Sequence, residues 1–97
     1  EVPTYLGYRL VNGFPKFRYS LAKYVITEQI RPNANEAGIQ RTFTISPTVE
    51  TTLRLTPTSQ AIISSDRGNL FPDGTLVLTA GESNEFSVLI QPREEAN

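Results

Sequence analysis

The dipeptide Asn12-Gly13 sits between two segments that alternate apolar and polar residues, Thr4 to Val11 before it and Phe14 to Leu21 after it. Asn-Gly favours a two-residue type I′ turn, because both central residues of that turn need positive φ. Such a turn sets the register of the hairpin: Val11 opposite Phe14, Arg9 opposite Lys16, Tyr8 opposite Phe17 and Leu6 opposite Tyr19. In a strand successive side chains point to opposite faces. Leu6, Tyr8, Phe17 and Tyr19 then share one face, read as core. Arg9, Lys16 and Arg18 share the other.

The same period continues along the chain, and no segment keeps a helical period over ten residues. Pro and Gly punctuate at short intervals. About eight strands are expected, near 4–11, 14–21, 24–31, 39–46, 50–56, 60–64, 75–80 and 85–91. A second turn at Ala22-Lys23 pairs Tyr19 with Ile26 and Phe17 with Glu28. A longer connection over residues 32–38 leads to a fourth strand. Ile30 opposite Ile39 would place Glu28 against Arg41, Ile26 against Phe43 and Tyr24 against Ile45. The apolar sets of four consecutive strands then fall on one face, which argues for an N-terminal four-stranded meander. Leu53 and Leu55, Ala61 to Ile63, Leu76 and Leu78, and Phe86, Val88 and Ile90 are expected to build a second sheet over it. Asp66-Arg67-Gly68-Asn69 and Pro72-Asp73-Gly74 read as turns. The expectation is an all-β chain, an antiparallel β-sandwich forming one domain over residues 1–97, with a frayed tail over 93–97.

Composition narrows the chemistry. The 97 residues include no His, Cys, Met or Trp. Histidine and cysteine ligands for zinc, copper, iron–sulfur clusters or haem are thereby excluded, as are nucleophile–histidine pairs. No disulfide can form. A net charge of −1 offers no general attraction to nucleic acid, and no apolar run approaches the roughly 20 residues of a membrane helix. No cofactor, nucleic acid or membrane insertion is expected. The chain begins at Glu1 rather than Met, which reads as a processed or excised piece of a larger protein.

The remaining candidates are few. Glu28 and Arg41, both on the apolar face, should form an ion pair, since an unpaired charge there would be costly. A structural pair near the sheet rim is the favoured role, ahead of a carboxylate lining a cleft. Arg9, Lys16, Arg18 and Arg31 form an outer cationic cluster suited to an acidic partner. Tyr5 and Phe14 are the aromatics most suited to stacking on a sugar. Asp66, Asn69 and Asp73 lack calcium-loop spacing, and turn chemistry explains them. Glycoside hydrolysis needs two carboxylates about 5–10 Å apart, and spacing fixes no such pair among Glu28, Glu36 and Glu50.

Taken in order, "GYRLVNGFPKFRY", "VITEQIRP", "GIQRTFTIS" and "TTLRL" resemble a β-sandwich accessory module of secreted and periplasmic multidomain bacterial proteins. Such modules are of planctomycete and Bacteroidetes type and lie beside c-type cytochrome or sugar-active domains. The matching positions are Gly7, Tyr8, Leu10, Gly13, Pro15, Phe17, Tyr19, Glu28, Ile30, Arg41, Thr42 and Phe43, within about residues 6–56. The resemblance implies a periplasmic or extracellular location and a large parent chain, and it carries over no catalytic residue. The Cys-x-x-Cys-His haem attachment motif is absent from the chain. The function expected from all of this is a non-catalytic module that docks on a neighbouring domain or subunit. The alternative is carbohydrate binding through exposed aromatics.

Overall fold

A computed structural model describes residues 3–33, 37–56 and 61–92. The expected frayed tail lies outside these residues, as does the start of the strand expected at 60. Nine strands form among the described residues: β1 Thr4–Val11, β2 Phe14–Leu21, β3 Tyr24–Pro32, β4 Ile39–Ser46, β5 Thr51–Arg54, β6 Ala61–Ser65, β7 Asn69–Leu70, β8 Thr75–Leu78 and β9 Glu85–Pro92. A short 3-10 turn, Glu82–Asn84, precedes β9. All pairings are antiparallel. The chain is all-β.

The first two turns form as the residues dictate. Asn12 and Gly13 both adopt positive φ, 54° and 85°, and the pairs Val11–Phe14, Arg9–Lys16 and Tyr8–Phe17 follow. Ala22 also adopts positive φ, and β3 pairs with β2 in the expected register, Tyr19 with Ile26 and Phe17 with Glu28. Pro15 has no N–H to offer β3, and the β2–β3 pairing accordingly starts at Lys16–Gln29.

Two registers differ from expectation. A bulge between Tyr5 and Gly7 puts Tyr5, not Leu6, opposite Tyr19. A bulge inserts one residue and so changes which side chain meets the partner strand. In the β3–β4 pair, Ile26 faces Ile45, Glu28 faces Phe43 and Ile30 faces Arg41. This is a slip of two residues from the expected pairing. A two-residue slip keeps every side chain on its face, so alternation alone could not distinguish the registers.

The larger correction concerns the sheets. β6 and β9 do not join a second sheet. They extend the meander into a six-stranded sheet of order β1-β2-β3-β4-β9-β6, and only β5, β8 and β7 form the second sheet. Phe43 of β4 stacks on Phe86 of β9, with ring centroids 5.1 Å apart and 17° between planes. The core holds Phe43, Ile45, Phe86 and Val88 from the large sheet and Leu76 and Leu78 from the small one, with Leu55 just beyond β5. Burying each such side chain contributes about 1.5–3 kcal/mol relative to leaving it exposed.

The small sheet covers only part of the large one. Cross-strand rows on the inner face show where the cover ends. In the row Tyr8–Phe17–Glu28–Phe43–Phe86, exposure runs from 63% at Tyr8, through half-buried Phe17, to 7% at Glu28, 5% at Phe43 and 2% at Phe86. The row Tyr5–Tyr19–Ile26–Ile45 runs the same way, from 54% at Tyr5 to 5% at Ile45. β1 and β2 therefore form a wing whose inner face is bare. The aromatic side of the first hairpin, expected as core, is not core, because no strand of the small sheet reaches over it. The molecule is correspondingly elongated, 49 × 31 × 22 Å.

The far end is held by polar clamps. The Glu82 carboxylate accepts hydrogen bonds from the Thr79 amide (2.8 Å) and the Gly68 amide (3.2 Å), while the Glu82 amide donates to Thr79 Oγ1 (3.3 Å). This reciprocal pattern resembles a helix capping box. Buried Ser83 donates from Oγ to the Ala80 carbonyl (2.9 Å) and accepts from the Val49 amide (3.2 Å), tying the approach to β5 to this turn. Hydrogen bonds from the Thr79 backbone and side chain hold the Glu82 pKa below its ordinary value of 4.5. A carboxylate with a lowered folded-state pKa adds stability above its unfolded value, and loses it as pH falls through the folded one. Replacing Glu82 with Gln should therefore lower Tm most above pH 4.5. The gap from the parent protein should narrow on acidification below that value, as thermal unfolding across a pH series would show.

Candidate functional site

Strands β1 to β3 present two chemically different faces, and strand parity assigns them. On the inner face Tyr5, Tyr8 and Leu10 are all at least 54% exposed, and Leu6, within the bulge, is 48% exposed. Tyr5 packs against Tyr19 (centroids 5.7 Å, planes 50° apart) and Tyr8 against Phe17 (5.8 Å, 43°). These are the tilted aromatic pairs usual across neighbouring strands. They hold the side chains in place without hiding them.

The outer face carries cations. Arg9 is opposite Lys16, Lys16 opposite Gln29, and Arg18 opposite Thr27. Arg31 lies on the same face, its guanidinium 5.0 Å from the Phe14 ring centroid. All four cations of the expected cluster are thus brought together on three adjacent strands. Among the described residues none of the four is ion-paired with an acid. Residues 3–33 hold five cations, Arg9, Lys16, Arg18, Lys23 and Arg31, and one acid, Glu28. That is a net of +4 in a chain whose total is −1. The near-neutral total conceals this polarity.

Phe14 stands on the cationic face and Tyr5 on the aromatic one. The pair expected as a sugar-stacking platform is therefore split between opposite faces, since Phe14 lies an odd number of residues from Phe17 and Tyr19. Tyr8 is the residue that shares Tyr5's face and its exposure. Reading Tyr8 as core concealed it. Its position at the sheet edge, two strands from any cover, is a property of topology and not of local sequence.

Glu28 and Arg41 meet as expected, with Arg41 Nε 2.5 Å from Glu28 Oε2, although they sit diagonally on the ladder and not directly opposite. The Arg41 guanidinium also lies 5.0 Å from the Phe43 ring centroid. The Glu28 side chain is 10% exposed and the Arg41 side chain 32%. The pair marks the rim where the covered core gives way to the bare wing. Beside it, a hollow of ≈ 240 Å³ runs under β5 and is lined by Arg41, Arg54, Leu53, Leu55, Ile63 and Ile90. The Glu28 carboxylate is already engaged by its partner, which suits a structural role.

The carboxylates of the oxygen-rich turns are engaged by backbone amides, that of Asp66 by one from β9 and that of Asp73 by one from β8. Asp66 Oδ1 accepts from the Ser87 amide (2.7 Å) and Asp73 Oδ1 from the Thr75 amide (2.9 Å). The Thr75 hydrogen bonds hold the Asp73 pKa below its ordinary value. No cluster of three or more acids that could hold a metal occurs among the described residues. Among them, too, no helix is long and apolar enough to cross a membrane.

Comparison with protein-family models, with curated proteins and with solved structures finds no match.

Removing one partner of a buried ion pair leaves an uncompensated charge, whereas removing both need not. Arg41→Met should therefore destabilise the fold by on the order of 2 kcal/mol, discounted for the arginine's partial exposure. The double variant Glu28→Leu with Arg41→Met should recover most of that loss. Urea unfolding of the four members of this cycle measures both.

Proposed function

We propose that the chain is a non-catalytic interaction module that docks on a neighbouring protein domain or subunit through the β1–β2 wing. The observation that carries this reading is the bare inner face of the wing. Tyr5, Tyr8 and Leu10 continue the inner face that elsewhere forms the core, yet they stay more than half exposed and no described strand lies over them. An apolar sheet face of this kind is stabilised when another protein completes the sandwich, and exposed aromatic residues are what such interfaces favour. The location that goes with this reading is periplasmic or extracellular, in a larger envelope protein or complex, as the resemblance to accessory modules implies.

A second reading, carbohydrate binding, is favoured by one specific observation: Tyr5 and Tyr8 are both exposed and share a face. Their rings are tilted against Tyr19 and Phe17, which suits a contoured protein surface better than a flat sugar platform.

A photoreactive phenylalanine analogue at Tyr8, at Leu10 or at Ile62 on the opposite edge of the sheet separates the two. In cells that naturally make the protein, Tyr8 and Leu10 should give the same protein adduct and Ile62 none. The purified partner should bind the chain and lose at least about tenfold in affinity on Tyr8→Ser with Leu10→Ser, as central aromatic contacts do. No adduct at either wing position, together with glycan-array binding abolished by Tyr5→Ala and Tyr8→Ala, would replace docking by sugar recognition.

A further inference from the structure

β1 is an edge strand of the six-stranded sheet. In a two-residue hairpin the residues flanking the turn form a hydrogen-bonded pair, and such pairs alternate along the ladder. Val11 and Arg9 therefore direct their backbone groups to β2, while Tyr8 and Leu10 direct theirs outward. The bulge between Tyr5 and Gly7 breaks this regularity. The stretch able to accept another strand is accordingly Gly7–Val11.

The two faces of that stretch specify what an added strand must carry. Residues opposite Tyr8 and Leu10 would lie on the aromatic face. Residues opposite Gly7 and Arg9 would lie on the cationic face. Gly7 has no side chain and pairs with Arg18, so a side chain placed beyond Gly7 can reach across to Arg18. Arg9 is exposed at the edge, with Lys16 beside it. An acid at each of these two positions would meet cations that are unpaired among the described residues.

We infer that the wing binds an extended partner segment that adds as a strand to β1 and alternates apolar with acidic residues. This rests on the docking reading and names the chemistry of the partner. Main-chain pairing would supply affinity, and alternate side chains specificity. Neither edge strand of the large sheet of a second copy meets the requirement. Pairing β1 with β1 antiparallel would bring two Arg9–Lys16–Arg18 faces together. Pairing β1 with β6, the opposite edge of the sheet, would offer Ala61, Ile62, Ile63, Ser64 and Ser65, with no acid among them.

The test uses three capped ten-residue peptides that alternate valine with glutamate, with serine or with lysine. Binding to the full chain is followed by fluorescence anisotropy, and backbone amide exchange is followed at Tyr8 and Leu10. The glutamate peptide should bind at least about tenfold more tightly than the lysine peptide, and more weakly as salt rises. It should slow exchange at both amides. Arg9→Glu with Arg18→Glu should reverse the preference, and both positions are on an exposed face where folding tolerates the change. Equal affinity for the glutamate and lysine peptides, or no protection at Tyr8 and Leu10, would overturn the inference. So would self-association of the chain that the Arg9→Glu variant leaves intact. If the peptides fail while Tyr8 and Leu10 still crosslink to one partner, strand addition falls and docking stands. If neither is seen, both fall.

Discussion

Neighbouring strands lie about 4.8 Å apart, so three strands cover roughly half the width of six. This mismatch between the two sheets governs the rest of the structure. The small sheet sits over β4 and β9, where Leu76 and Leu78 meet Phe43, Phe86 and Val88. Tyr24 and Ile26 of β3 and Ile63 of β6 pack at the margins of that core, and the wing, β1 and β2, stands without a second layer among the described residues. Its strands keep the same alternation as the covered ones. The wing therefore presents to its surroundings a face with the composition of a core, and the same alternation gathers its cations on the other side.

The Glu28–Arg41 pair belongs to this boundary. A carboxylate placed deeper, beside Phe86, would lack access to water for its partner. A carboxylate placed further out, at Phe17, would need no partner. At the rim it is buried while Arg41 still reaches solvent, and the guanidinium also packs against Phe43. A charged pair there ends the dry core without leaving an unsatisfied group, which fits a fold that stops halfway across its own sheet. At the other end Ser83, Glu82 and Asp66 perform a comparable task with backbone partners, joining turns that carry few apolar side chains.

Much of this was legible in the sequence. Asn12-Gly13 determines its turn, and period-two alternation marks the strands and sorts side chains between faces. That sorting brought Arg9, Lys16, Arg18 and Arg31 together and placed Glu28 near Arg41. What alternation cannot supply is the identity of neighbouring strands. Phe86 and Val88 read equally well as part of either sheet, and only their pairing with Phe43 and Arg41 shows which. The exposure of Tyr8 followed from that unknown, because it depends on how many strands the covering sheet retains. The two-residue slip between β3 and β4 preserved both faces and left no trace in the pattern. β7, only two residues long, is too short to show a period. The charge polarity was visible in the residues themselves but hidden in a total near zero.

The central claim is that the wing is folded and its aromatic face is bare. NMR with a soluble paramagnetic probe, combined with amide exchange, tests it most directly. A folded, bare wing predicts that side-chain signals of Tyr5, Tyr8 and Leu10 are strongly broadened, that those of Leu76, Phe86 and Val88 are spared, and that amides of β2 and β3 are protected from exchange. Tyr8 and Leu10 shielded from the probe would mean that the face is covered. Rapid exchange throughout β2 and β3 would mean that the wing is not folded. Either result would contradict the claim.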